Sequence, residues 1–114
     1  MTLQNAIADF NRRHRAGADA AADALASFIR ETISDPYPPA SDPFSPPHSR
    51  SGELKDGVYA YAEGTEIVFG DSAPHASFLE LGTWKMLPRP FLSTAMSSGG
   101  SDAMMAAYED AFHA

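Results

Sequence analysis

Four histidines, His14, His48, His75 and His113, are the first side chains to weigh for chemistry. Metal binding or proton transfer would need them paired at short spacing or drawn to one site. The chain holds no HxxxH, HxH or HExxH pair, so the spacing that seats a metal ion is missing. Serine is frequent, yet no GxSxG elbow presents one as a nucleophile. Ser98-Gly99-Gly100-Ser101 is glycine-rich but lacks the lysine and the preceding strand of a phosphate loop. Glu109 and Asp110 are neighbours, and neighbours on a helix point apart. Glu80 differs, because it sits among Phe78, Leu79 and Leu81. Three roles are open to it: a general base of raised pKa, a cap on backbone amides, or an ion pair with Lys85 or Arg89. An acid buried among apolar groups needs a partner, and the ion pair is the expectation. No catalytic residue, metal or cofactor is expected.

Composition narrows the class further. At 114 residues the chain is one domain at most. Apolar residues make up 44%, but many are alanine, so the expected core is thin. The formal charge of −7 is uneven. Residues 1–30 balance Arg12, Arg13, Arg15 and Arg30 against Asp9, Asp19 and Asp23, whereas residues 31–114 hold four bases against twelve acids. Such a body repels nucleic acid over its general surface. It suits a soluble protein, or one lining a passage that DNA slides through without sticking. The chain has no cysteine, which excludes disulfides and thiolate zinc sites. No stretch approaches the roughly 18 apolar residues of a membrane span. The N-terminus has no hydrophobic signal core, so the protein is expected to start life in the cytoplasm.

The elements that would position these residues read as α+β: a long N-terminal helix and a C-terminal helix packed on a small antiparallel sheet. Residues 3–33 carry one apolar stripe through Leu3, Ile7, Phe10, Leu25, Phe28 and Ile29, with Thr2 as N-cap and a weak point at Gly17. Residues 35–51 form an arm dense in proline, unable to make a helix or a central strand. Residues 54–62 and 65–69 read as a hairpin turning at Glu63-Gly64, followed by a short helix over 74–81 that Gly82 ends. The sheet and this short helix occupy 54–89. C-terminal helices fill 90–113, entered at Pro90 and broken over 97–100. All of it forms one domain, 1–114.

Several motifs fall in one order. Ser51-Gly52-Glu53-Leu54 precedes the strands. His75-Ala76-Ser77-Phe78-Leu79-Glu80-Leu81-Gly82-Thr83 follows them, then Lys85-Met86, then Arg89-Pro90-Phe91-Leu92. This series resembles the neck and tail-completion proteins of long-tailed bacteriophages, of the "gene product ten" minor-tail type. The resemblance covers about residues 47–96. It departs at Leu81, where an aromatic is usual, and after Leu92, where Ser93-Thr94 replaces a basic residue and proline. Gly52, Leu54, Glu80, Gly82, Thr83, Pro90, Phe91 and Leu92 are its structural motif residues.

The resemblance implies a structural virion protein and no enzyme. Copies would form a ring at the neck or upper tail, completing the tail or joining it to the head. The partners would be the chain itself and adjacent neck, head-completion or tail tube proteins, with DNA only as passing cargo and no membrane. The location would be the virion, and the host cytoplasm during assembly. A phage, a prophage or a gene transfer agent could encode it. The alternative is a small intracellular protein-binding regulator or a toxin–antitoxin type module.

Interface candidates are Tyr37 and Phe44 on the arm, expected to anchor it on an adjacent subunit, and Trp84, Lys85, Met86 and Arg89. Tryptophan and methionine suit an interface anchor. Burial of Trp84 in the chain's own core is the competing reading.

Overall fold

A computed structural model of the chain describes residues 2–35, 41–47 and 52–114. Tyr37 and Ser51 lie outside the described residues.

Helix α1 spans Leu3–Thr32. It starts where the Thr2 hydroxyl accepts the Asn5 amide at 3.1 Å. Asp9 sits one turn below Arg12 and Arg13 and pairs with both, at 2.6 and 2.9 Å. Hydrogen bonds from these two guanidinium groups hold the Asp9 carboxyl below the usual aspartate range. The helix runs unbroken through Gly17. A Cβ there would stand 2.7 Å from the Tyr108 ring, so packing, not flexibility, selects the glycine. Gly17, Ala18, Ala21 and Ala22 form a small-residue face, and Leu25, Ala26 and Ile29 continue it as core.

The long apolar stripe expected of this helix is buried only over its second half. Leu3, Ile7 and Phe10 are exposed. At about 1.5 Å per residue the helix is roughly 45 Å long. It outruns the layer packed against it within a body of 61 × 22 × 21 Å.

Residues 54–57 were expected to begin a strand. They form instead a helical turn, α2, spanning Glu53–Asp56. Gly52 takes φ 81°, a left-handed backbone that favours glycine, and turns the chain into it. Strand β1, Val58–Glu63, then pairs antiparallel with β2, Glu66–Asp71, in the register Val58↔Asp71 to Glu63↔Glu66. The two-residue loop is therefore Gly64-Thr65, one position later than the composition indicated.

Helix α3 spans Ala76–Leu81 and α4 spans Leu92–Ala95. A wide helical turn over Met96–Gly100 leads into α5, Ser101–Phe112. The expected break falls in that turn, at Gly99 with φ 154°. Helix α5 returns antiparallel along α1. Gly99 meets Phe28 near its start, and the Arg13 guanidinium donates to the Phe112 carbonyl near its end, at 2.9 Å. The core proper gathers Leu25, Ile29 and Ile33 with Val58, Ala76 and Phe91.

Asp71 ends β2. Its Oδ1 accepts the Ala73 amide at 2.9 Å, while its Oδ2 is buried without a hydrogen-bond partner. Burial pushes this carboxyl above the ordinary aspartate value, against the Ala73 hydrogen bond and the nearby His75. The folded state thus holds the proton more tightly than the unfolded chain does. The charge costs stability above the folded pKa, and that cost disappears as pH falls below the unfolded value. Asp71→Asn keeps an acceptor for Ala73 and cannot titrate. Urea midpoints should therefore show wild type gaining on Asp71→Asn as pH is lowered from neutral toward 4. A difference independent of pH would contradict this.

Candidate interaction surface

The motif residues build a rigid projecting turn. Gly82 receives the end of α3 by donating its amide to the Phe78 carbonyl at 2.8 Å. It then turns out at φ 77° and ψ 176°. Only glycine fits, since a Cβ would meet the Met86 carbonyl at 2.9 Å and Pro88 at 3.0 Å. Thr83 and Met86 close the turn with reciprocal backbone bonds of 2.9 and 3.2 Å. The Thr83 hydroxyl accepts the Lys85 amide at 3.2 Å. Trp84 is at the apex and 90% exposed, so it forms no part of this chain's own core. The Lys85 ammonium lies 4.6 Å from the centre of its ring. Phe78, Leu81 and Leu87 are also exposed around this turn, and Met86 is half-buried.

Two struts hold the base of the turn. The Arg89 amide donates to the Leu79 carbonyl at 2.7 Å, and its Nε donates to the Ser41 carbonyl at 3.2 Å. The Phe44 amide donates to the Pro88 carbonyl at 2.7 Å. The described part of the arm, 41–47, thus straps its own chain beneath the turn. The Phe44 side chain points out, exposed, with φ 67°.

Within the chain Glu80 forms neither expected ion pair. Its Oε2 accepts the amides of Phe91 at 2.7 Å and Leu92 at 3.3 Å, and its Oε1 accepts that of Ser93 at 2.9 Å. Pro90 has no amide hydrogen, so the next three amides are the free donors at the entry to α4. A carboxylate satisfies them together, and the arginine is spent on Ser41 instead. This clamp ties α3 to α4. Glu80→Ala is expected to cost about 2 kcal/mol, within the range for losing a helix cap with charged hydrogen bonds. Glu80→Gln should fall between the two in thermal midpoint. Equal midpoints for all three would contradict the clamp.

Phe91 and Leu54 are buried, while Leu92 and Pro90 are half-buried, so these motif residues serve packing. Thr83 is exposed but shapes the turn.

A second feature was missed from the sequence. An apolar pocket of about 170 Å³ opens between α1, the hairpin loop and α5, lined by Ala18, Ala21, Ile67, Met104, Met105 and Tyr108, with His14 and Glu66 also at its wall. His14 Nε2 faces the Gly64 carbonyl at 3.3 Å, and His14 Nδ1 faces the Tyr108 hydroxyl at 2.8 Å. A carbonyl only accepts, so Nε2 carries the proton of that contact. The available signal was Gly17, a helix-weakening residue one turn from His14.

Among the described residues no three His, Cys, Asp or Glu side chains converge as metal ligands, and no helix is long and apolar enough to cross a membrane. No family model, curated protein or solved structure matches the chain.

Proposed function

We propose that this chain is a structural subunit of the neck or upper tail of a phage or phage-like particle. Copies form a ring that completes the tail or joins it to the head. The observation that carries this reading is the exposed apolar turn, with Leu81 and Trp84 in water on a backbone fixed at both ends. Contiguous exposed apolar surface marks a protein interface. The same turn lies between the two motifs that resemble the tail-completion family. The excess of acids over residues 31–114 fits a passage for DNA, not a grip on it.

The partners are other copies of the chain and adjacent neck, head-completion or tail tube proteins. The protein acts in the virion and is assembled in the host cytoplasm. One buried tryptophan contributes about 150–250 Å², far below the roughly 1,600 Å² of a stable interface. The free chain should therefore be a monomer or weak oligomer, with the ring completed on a neck or tail partner. Deleting the gene should leave filled heads and separate tails in electron micrographs, and Trp84→Ala should produce the same picture. Normally joined particles from the deletion would overturn the reading.

A further inference from the structure

We propose that the pocket beside His14 receives Trp84 of a neighbouring copy, which makes the joint between subunits head-to-tail. The proposal rests on the ring reading for its setting. Both His14 nitrogens are already hydrogen-bonded, and the remaining wall is largely aliphatic, sulfur and aromatic. A small-molecule site carries convergent polar groups, and this pocket has few to offer. Its size suits a ring. An apolar cavity of about 150 Å³ takes benzene, and this one measures about 170 Å³. Met104 and Met105 can adjust their shape and favour aromatic contacts.

Charge agrees with shape. Glu66 stands at the pocket wall and Glu63 directly opposite it in the hairpin register. Both are exposed, and like charges placed opposite each other destabilise a hairpin. Neither has a cation partner among the described residues. Lys85 supplies the missing cation beside the ring that would fill the pocket. The knob is an aromatic ring with an adjacent ammonium; the hole is an apolar well with Glu66 at its wall.

Trp84 does not fill its own chain's pocket, because it is 90% exposed. The turn hangs from α3 and the Phe91 segment, whose Ala76 and Phe91 pack with Leu25, Ile29 and Ile33. From His14 to Ile29 along α1 is roughly 22 Å at 1.5 Å per residue. Knob and hole are thus different patches of one surface. Contacts of that kind repeat from copy to copy and close into a ring when the rotation allows.

The native chain has no cysteine, so a disulfide trap is clean. Thr65→Cys marks the hole and Leu87→Cys marks the knob, both at exposed positions. The two single variants, mixed at high concentration under mild oxidation, should form the mixed dimer about tenfold faster than either homodimer, the ratio expected of a modest preference. Adding Trp84→Ala to the knob chain, or Glu66→Lys to the hole chain, should remove the excess. The thermal midpoint should stay put with Trp84→Ala and should not fall with Glu66→Lys, which sets a cation opposite Glu63. A Leu87→Cys homodimer forming as fast as the mixed one, or an excess that survives Trp84→Ala, overturns the proposal. The chain in purified particles with no mixed cross-link overturns the joint alone. A mixed cross-link with the chain absent from particles upholds the joint and overturns the neck assignment.

Discussion

Phe91→Ala is expected to cost about 4 kcal/mol and to lower the thermal midpoint by roughly 15 °C. Phe91 is fully buried, and among the described residues only Leu25, Ile29 and Ile33 join it as large side chains with no more than a trace of exposure. The rest of the buried apolar set is mostly alanine. Alanines on a rigid helix cannot move in to fill a phenylalanine-sized void, so the cavity should persist. Phe91 also precedes α4, with its amide held by Glu80. Losing the ring therefore loosens the junction from which the projecting turn hangs. Marginal stability for a domain is about 5–15 kcal/mol, so this one change removes a large share. Urea and thermal unfolding of the purified chain would measure it. A shift of only a degree or two would mean the core is centred elsewhere.

Trp84→Ala should behave in the opposite way. The ring touches almost nothing of its own chain apart from the Lys85 ammonium, so the thermal midpoint should scarcely change. Joining of particles should fall by about tenfold or more, the scale of losing an interface hot spot. Counting joined and unjoined particles beside a melting curve of the free chain separates the two effects. A large drop in the midpoint would return Trp84 to a folding role and remove the interface assignment.

The contrast between these residues was partly legible in the sequence. Helix periodicity placed α1, and Thr2 its start, because both depend on local spacing. Gly82, Pro90 and the Ser97-Ser98-Gly99-Gly100 run marked real turns, because backbone conformation at glycine and proline is a local property. What could not be read depended on distant partners. The apolar stripe from Leu3 to Phe10 does not reveal that Leu3 and Ile7 stay exposed while Phe10 meets the end of α5 at Phe112. Glu80 carried the right signal, an acid among apolar residues. Its partner turned on three amides following Pro90, which composition does not orient. The start of β1 was misplaced because a four-residue turn and a strand share the pattern around Leu54. The arm's proline density suggested reach, yet residues 41–47 lie along the chain's own Pro88 and Arg89. The pocket needed three separate segments brought together, and no single stretch announces it.

A ring subunit of the neck or upper tail must be a part of the particle. The most direct measurement is the protein content of purified particles, by mass spectrometry with immunogold labelling to locate the chain. The expected result is a small, fixed number of copies per particle, labelled at the junction of head and tail. Particles that contain portal and tail tube proteins but lack this chain would contradict it.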